Sequence, residues 1–362
     1  MSEQEQLSVP TVAKQQRIGD ALRQQIVHGE LAPGARLPTQ VQLIEQFGVS
    51  GVTVQRAINN LTREGFICTR GRNGTFVAAN PPHLSNYGLV FMDQADRDTH
   101  RSRYHEMLES QAFRLQREVD RRVTVFNGIS GHADDEGTRQ LLADVRAHRM
   151  AGLMLVDPDT LEDNPLLEEQ AIPRVAVMSC EVELPCPIVC PDIAGMIDLG
   201  LDTLVSAGRH RIAILTTGPI YRKHRAHLLT AIKRLPITVH DRWIQVTPHD
   251  LPEAVRNMVL LLMASGNSER PDGIFILDDN LAEAASTGLI EAGVRVPQDV
   301  SIVAHCNFPW LAPSVLPVTR VGFDTQAILD QALGVIDIQR RGMAPVAVTR
   351  AQAILQRPSE QS

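Results

Sequence analysis

A long alternation of short apolar runs and helical segments, between about residue 87 and residue 304, constrains the fold most. The runs 87–92, 123–126, 152–156, 273–277 and 300–304 have the length and composition of strands, and stretches with apolar residues at helical spacing separate such runs. Strands that alternate with helices form parallel sheets covered by helices on both faces. We therefore predict an α/β fold. Roughly 275 residues follow position 87, which favours two lobes over one large sheet.

The first eighty residues follow a different pattern. Apolar spacing predicts a helix at about 12–28, and Thr39 is placed to cap a short second helix that Gly48 stops. Ser50 is placed to cap a third helix, which ends at Gly65. Two helices joined by a tight glycine turn are typical of a helix-turn-helix.

A predicted β-hairpin comes next. Two β-prone runs, 66–70 and 75–78, flank the turn Gly71-Arg-Asn-Gly74, and we interpret this hairpin as a wing. The proline-rich stretch at 81–86 breaks regular structure and has the composition of a linker. We predict three parts: a winged helix-turn-helix at 1–80, this linker, and a two-lobed domain at 87–362. The N-lobe is expected at about 87–191 and 322–362, and the C-lobe at about 192–321.

Residues 1–80 resemble the GntR-type winged helix along almost their whole length. The matching residues are Gly29-Glu-Leu, Pro33-Gly34, Leu37-Pro38, Leu43, Phe47-Gly-Val-Ser50, Thr53-Val54, Ala57, Leu61, Glu64-Gly-Phe-Ile67 and Gly74-Thr-Phe-Val77. The resemblance implies a sequence-specific transcriptional regulator, a repressor or dual regulator, that binds a double-stranded DNA operator. The candidate DNA-binding residues are Thr39, Gln40, Ser50, Thr53, Gln55, Arg56, Asn59, Arg70, Arg72 and Gly74.

The chemistry of these side chains also favours DNA binding, independently of the resemblance. A helix fits the major groove, where Gln and Arg can contact adenine and guanine through two hydrogen bonds, while Ser and Thr position phosphates. The basic side chains that many relatives carry at three positions are here replaced by Val41, Gly51 and Gln55. We therefore expect an operator that differs from those of such relatives.

Charge is distributed unevenly along the chain. Residues 1–80 contain eight lysines and arginines against six acids, a net charge of +2, whereas the whole chain carries −7. This asymmetry is expected when a small nucleic-acid-binding part is joined to a regulatory part.

Residues 87 to about 357 resemble the effector domain of the lactose-repressor family, whose fold is that of periplasmic sugar-binding proteins. The firmest matches are Gly208-Arg-His-Arg-Ile-Ala-Ile-Leu215, Arg270-Pro-Asp-Gly-Ile-Phe-Ile-Leu-Asp-Asp279, Gly293-Val-Arg-Val-Pro-Gln-Asp-Val-Ser-Ile-Val303 and Pro317-Val-Thr-Arg-Val321. The resemblance implies crossings between the lobes near Pro191 and Val321, a small-molecule effector between the lobes, and a homodimer. It also implies that the tail, 346–357, returns to the N-lobe.

Ligands of open α/β sheets bind beyond the carboxyl ends of the strands. The candidate effector-binding residues there are Asp93, Asn127, Arg225, Asp278, Asp279, His305 and Asn307. The resemblance implies an arginine on the helix after the Ile212 strand that clamps ligand oxygens, and between Arg222 and Arg225 we select Arg225 for this role. The usual Gly-aromatic-Asp-Asp is replaced by Ala304-His-Cys-Asn, and Asp278 stands where Asn is usual. Four alternatives follow: the effector is a sugar, a modified sugar or a molecule that is not a sugar, or the cleft has lost ligand binding.

Other functions are less well supported. His305 and Cys306 are adjacent on an extended segment and point to opposite sides, so they do not form a nucleophile pair, and we expect no enzyme and no cofactor. Cys186 and Cys190 have a spacing that could chelate a metal, but no paired His or Cys cluster completes a four-ligand set nearby, so we expect free thiols and no metal. No run of 18 uncharged apolar residues and no signal segment are present, which favours the cytoplasm, without a membrane partner, over the alternative of a solute-binding transport component.

Overall fold

The computed structural model describes residues 11–92, 102–115, 121–158, 164–248, 250–264 and 270–358. Contacts divide these residues into two compact units. The first unit takes the described residues of Met1–Asp93, Ala112–Arg174 and Gln339–Arg341, and the second takes those of Gln94–Gln111, Val175–Ile338 and Gly342–Ser362. The predicted division into a winged helix-turn-helix, a linker and a two-lobed domain differs from these two units, and it stays a prediction.

The chain begins with three helices and a hairpin. These are α1 (Thr11–Val27), α2 (Gln40–Phe47), α3 (Gly51–Arg63), β1 (Ile67–Thr69) and β2 (Thr75–Val77). The hairpin is antiparallel, with Ile67 opposite Val77. Apolar residues of all five elements share one core, which includes Ile18, Leu43 and Leu61. This arrangement is the winged helix-turn-helix that the sequence predicts.

Local chemistry sets the ends of the short helices. The Thr39 side chain accepts a hydrogen bond from the backbone N–H of Gln42, whose side chain accepts from the backbone N–H of Thr39, which completes a capping box. Gly48 ends α2 in the left-handed conformation, with φ of 62°, which glycine adopts without strain. Ser50 caps α3 by accepting from the N–H of Thr53. All three residues act as predicted.

The remaining elements alternate as expected. They are α4 (Pro82–Ser85), β3 (Asn86–Met92), α5 (Arg103–Leu115), β4 (Arg122–Ile129), α6 (Glu136–Arg146), β5 (Gly152–Val156), α7 (Pro165–Glu168), β6 (Arg174–Val177), β7 (Ile188–Pro191), α8 (Ile193–Ser206), β8 (Ile212–Thr216), α9 (Gly218–Arg234), β9 (Ile244–Val246), α10 (Pro252–Leu262), β10 (Gly273–Ile276), α11 (Ala282–Glu291), β11 (Ser301–Phe308), β12 (Thr319–Asp324), α12 (Thr325–Arg340), β13 (Val348–Ala351) and β14 (Ile354–Gln356). The predicted linker thus contains one helical turn, α4, which starts at a proline.

Two six-stranded sheets contain these strands. Their orders are β13-β7-β6-β5-β3-β4 and β14-β12-β11-β10-β8-β9. In the second sheet the pairs from β12 to β9 are parallel, and only β14 runs antiparallel among its described strands. Helices α10 and α11 pack on this sheet through a buried cluster that includes Val259, Ala285 and Ile274. The α/β prediction with parallel sheets is confirmed.

Three predicted details were wrong. The strand expected to end at Ala304 continues to Phe308, because the side chains of Cys306 and Phe308 are buried and extend the apolar face. Strand β4 likewise continues beyond Asn127 to Ile129. The tail divides: β13 pairs with β7, whereas β14 pairs with β12 of the second sheet. No helix in the described ranges is long and apolar enough to span a bilayer.

Candidate nucleic-acid surface and ligand site

Helix α3 has one buried face and one polar exposed face. Val54, Ala57 and Leu61 pack into the core, whereas Gln55, Arg56 and Asn59 are exposed. The Gln55 side chain donates to the side-chain oxygen of Asn59 at 3.0 Å. The predicted base-contacting residues Gln55, Arg56 and Asn59 therefore lie on one accessible helix face, where a duplex can reach them.

Ser50 and Thr53 form a unit at the start of α3. Their hydroxyl oxygens lie 2.9 Å apart, and the side chain of Thr53 is largely buried, with 5% of the residue exposed. Ser50 is exposed at the N-terminus of the helix, where backbone N–H groups favour anions. Of this pair, Ser50 is accessible to a phosphate, whereas the buried Thr53 hydroxyl holds the Ser50 side chain in place through their hydrogen bond.

The start of α2 contacts the start of α3. The Gln40 side chain donates to the carbonyl oxygen of Gly51 at 3.0 Å. A Cβ at position 51 would lie 3.3 Å from Gln40 Nε2 and 3.4 Å from Ile44 Cδ1, so glycine permits this close approach. Thr39, the cap of α2, is exposed beside it. The two helix starts thus form one continuous surface.

Three arginines lie on or beside the wing. Arg72 is exposed in its turn, and the Arg70 guanidinium lies 4.9 Å from the centre of the Phe76 ring. Arg36 extends along the hairpin, since a Cβ on Gly74 would lie 3.1 Å from Arg36 Nε. The sequence reasoning missed Arg36 because it lies in a turn-rich link. Backbone pairing of this link with β2, which includes the bridge between Arg36 and Phe76, brings it to the wing.

Glu64 ties the end of α3 to the following domain within the first unit. Its carboxylate contacts the guanidinium of Arg23 on α1 and that of Arg149 after α6, each at 2.7 Å. Arg149 also pairs with Asp144 at 2.7 Å. Partial burial acts to raise the pKa of Glu64, but the hydrogen bonds and charges of Arg23 and Arg149 outweigh it and hold that pKa below its usual value.

In the second unit, predicted ligand residues meet at the carboxyl ends of neighbouring strands. The Asn307 amide donates to Asp279 Oδ2 at 2.9 Å, and His305 Nδ1 lies 3.8 Å from Asp279 Oδ1. His305 and Asn307 are two residues apart on β11 and share a face. Burial raises the pKa of Asp279 and the charge of Asp278 adds to this, while His305, Asn307 and Arg103 act against it. We call Asp278, Asp279, His305 and Asn307 the strand-end cluster.

Asp278 is held by side chains that sequence reasoning did not select. Thr217, which directly follows β8, donates from its hydroxyl to Asp278 Oδ2 at 2.9 Å. The backbone N–H of Asn280 donates to Asp278 Oδ1 at 3.0 Å. Asn280 in turn accepts from the backbone N–H of Arg103 at 3.2 Å. The position of Thr217 after a strand was the available signal, since the strands β8 and β10 are neighbours.

Cys306 points away from the cluster, as the alternation of β11 requires. Its thiol is buried and contacts the carbonyl oxygen of Trp310 at 3.8 Å. Burial raises the pKa of this thiol to about 12. A thiol that stays protonated is a poor nucleophile, so His305 and Cys306 do not form a catalytic pair.

The other predicted ligand residues are placed differently. Asp93 lies outside the described residues. Asn127 is an exposed residue inside β4 rather than after it. Arg225 is exposed on α9, and its Nε lies 3.3 Å from the Tyr221 hydroxyl. Arg222 is nearer to the strand end, because a Cβ on Gly218 would lie 3.2 Å from its guanidinium.

Comparison with known proteins assigns both parts of the chain. Residues 14–77 match the bacterial regulatory proteins of the gntR family, and residues 201–353 match a periplasmic binding protein-like domain. The chain is a transcriptional regulator with a GntR-type DNA-binding domain and a periplasmic-binding-protein-like effector domain. This assignment confirms the predicted winged helix and effector domain, and the prediction of a regulator rather than an enzyme.

Two relatives and a solved structure match most of the chain. The regulator is 21% identical over 343 residues to the arabinose metabolism transcriptional repressor of Geobacillus stearothermophilus, with 86% of each chain covered. It is 24% identical to the repressor of the same name from Halalkalibacterium halodurans, with 78% of each covered. A LacI-family regulatory protein from Chloroflexus aggregans shares the fold, with a TM-score of 0.60, 19% identity, and coverage of 76% of the regulator and 98% of that chain.

The regulator's cysteines and acids do not assemble a metal site in the part of the chain that is described. No group of three His, Cys, Asp or Glu side chains there is placed to hold a metal ion. The five cysteines form no disulfide with one another in the structure.

Proposed function

We propose that this chain is a transcriptional repressor that binds a DNA operator as a homodimer and releases it when a sugar or sugar-like effector binds. The observation that carries the DNA-binding half is the exposed face of α3, with Gln55, Arg56 and Asn59 beside a cationic wing. Side chains of these types read base edges and contact phosphates. Such a repressor acts in the cytoplasm.

The strand-end cluster supports the effector half. Asp278 and Asp279 offer acceptor oxygens, and the ring of His305 has no hydrogen-bond partner at either nitrogen within the described residues. Polyols are bound in proteins by such mixed sets of acceptors and donors. The names of the two arabinose repressors make L-arabinose the first sugar to test.

The proposed homodimer has a candidate face in the second unit. Val246 on the edge strand β9, Leu251 and Leu261 are exposed, with Leu261 75% accessible, beside a shallow groove lined by Arg242 and Met258. Apolar, Met and Arg side chains are enriched at interfaces, and a two-fold axis lets one patch pair with itself. We expect Leu261→Asp to yield monomers in sedimentation, while Val315→Asp, an exposed valine elsewhere, leaves dimers.

A melting screen tests the effector. The purified chain is heated with L-arabinose, other pentoses, hexoses, sugar acids and sugar phosphates, one at a time. A sugar at 100 times its dissociation constant stabilises the domain it binds by about 2.7 kcal/mol, which visibly raises the melting temperature. The shift should vanish in Asp279→Asn and persist in Asp299→Asn, an acid that pairs with Arg295 instead.

The second step links the sugar to DNA. A sugar that shifts the melt is added to the protein bound to a duplex selected from a random library, and release is followed by fluorescence anisotropy. Release at concentrations matching the melt supports the proposal. A sugar that binds without changing the duplex affinity contradicts the coupling, because an effector acts only through different affinities for two states.

A further inference from the structure

Two valines stand out on the exposed surface of the winged helix. Val41 is 72% exposed and Val52 is 63% exposed, and they occupy the first turns of α2 and α3. Among residues 14–80, the other large apolar side chains are buried or only partly exposed. Exposed β-branched residues gain nothing from helix propensity, so these positions call for an explanation beyond folding.

The two valines belong to one patch. Gln40 and Gly51, the residues directly before them, are joined by the hydrogen bond from Gln40 Nε2 to the Gly51 carbonyl oxygen at 3.0 Å. Val52 also begins the exposed stripe of α3, since Arg56 and Asn59 follow at spacings of four and three. The apolar surface is therefore continuous with the residues proposed to contact bases.

The charges around the patch favour a polyanion over a protein. Arg56 and Arg63 are exposed on α3, and neither α2 nor α3 has an acid in its first turn. Glu45 lies one turn behind Val41, away from the helix start. A partner that is negatively charged and also presents small apolar groups matches this surface. Duplex DNA does so in its major groove, where each thymine exposes a C5-methyl group.

We propose that Val41 and Val52 determine operator specificity by contacting thymine methyl groups in the major groove. This inference rests on the proposed function as an operator-binding protein. At the start of both helices, the valines would recognise bases through apolar contacts rather than hydrogen bonds. Gln55, Arg56 and Asn59 would supply polar contacts farther along α3. The operator should accordingly contain thymines at fixed positions in each half-site.

The test uses the full chain and a duplex enriched from a random library. Each thymine of that duplex is replaced in turn by uracil, which removes only the methyl group, and affinities are measured for the wild type, Val41→Ala, Val52→Ala and the control Val315→Ala. Val315 is an exposed valine outside the winged helix. Melting curves establish that each variant is folded.

The expected result is specific to position and variant. One or more uracil substitutions should weaken wild-type binding about fourfold, the effect of burying one methyl group. The same substitution should have no effect in Val41→Ala or Val52→Ala, and its full effect in Val315→Ala. An enriched duplex without methyl dependence, or with the same dependence in both valine variants, overturns the inference and leaves operator binding intact. Failure to enrich any sequence overturns both.

Discussion

At the scale of single residues, Gly322 fixes how closely two strands of the second sheet lie. Gly322 on β12 is paired with Cys306 on β11, and a Cβ added there would overlap the Cys306 carbonyl oxygen. Because the carbonyl oxygen belongs to the backbone and the position of a Cβ is fixed by its own backbone, the overlap could be relieved only by bending a strand. The site residues His305 and Asn307 flank Cys306, so their placement depends on this glycine.

We predict that Gly322→Ala lowers the free energy of unfolding by about 1–3 kcal/mol through overpacking. The control is Gly334→Ala in α12, where an added Cβ meets nothing within 4 Å. That change should be neutral or stabilising by about 0.5–1 kcal/mol, because alanine favours a helix over glycine. Denaturant unfolding compares the two, and equal stability of both variants would contradict the packing argument.

His83 makes the stability of the first unit depend on pH. Its ring stacks on Phe66 with centres 6.0 Å apart, and burial, followed by the charges of His148 and Arg340, lowers its pKa from 6.5 to about 4. Between pH 6.5 and about 4, the His83 ring is therefore protonated in the unfolded chain but neutral in the folded chain. Stability should fall as the pH is lowered through this window.

His83→Gln should flatten this fall, which melting temperatures measured between about pH 7 and pH 4 will show. His132→Gln, at an exposed histidine, serves as the control and should keep the wild-type slope. Parallel curves for wild type and His83→Gln would show that His83 does not cause the dependence.

Residue-scale chemistry was predictable where it is local. The caps at Thr39 and Ser50 were predicted correctly because a cap depends on neighbours within three residues. The burial of Thr53 and the position of Arg36 beside Gly74 depend on packing between distant segments, so no local pattern reveals them.

At the scale of elements, the wing is predicted to act through charge. Arg72→Ala removes an exposed cation from its turn. If Arg72 neutralises a phosphate, the slope of log affinity against log salt should fall by about 0.9 when that cation is removed, equally on the selected and a random duplex. Arg139→Ala, whose guanidinium pairs with Glu136 on α6, is the control. An unchanged slope in Arg72→Ala would remove the wing from the DNA-binding surface.

Periodicity predicted the kind and order of most elements, but it failed at their ends. Strand β11 runs on through His305 and Asn307 because alternate side chains, Cys306 and Phe308, remain buried. The short apolar run ending at Ala304 gave no sign of this. The division of the tail between two sheets was also hidden, since strand pairing joins residues far apart in sequence.

At the scale of the whole molecule, Glu64 gives the winged helix a charged contact with the next domain. We predict that Arg149→Ala lowers the melting temperature of the winged helix, since it removes one of the two cations that satisfy a half-buried carboxylate, at a cost of about 1.5–3 kcal/mol. Arg146→Ala, at a more exposed arginine of α6, should have little effect. Hydrogen exchange of the α3 amides reports the local stability of the winged helix, and we expect faster exchange in Arg149→Ala than in Arg146→Ala. Equal protection in both variants would contradict the prediction.

The two resemblances predicted the architecture of the molecule, because the fold of each domain follows from motifs spread along its length. The ligand site was not predictable, since Asp278, Asp279, His305 and Asn307 come together only when the two strands β10 and β11 are aligned. The polar partners Thr217 and Asn280 come from separate turns for the same reason.

Sequence-specific DNA binding is best tested by a competition titration of the full chain between the duplex enriched from a random library and an unrelated duplex of equal length, at physiological salt. We predict a preference of about a thousandfold or more for the enriched duplex, reduced about five- to 150-fold by Gln55→Ala or Arg56→Ala. Equal affinity for the two duplexes would contradict sequence-specific binding, and with it the role proposed for this chain.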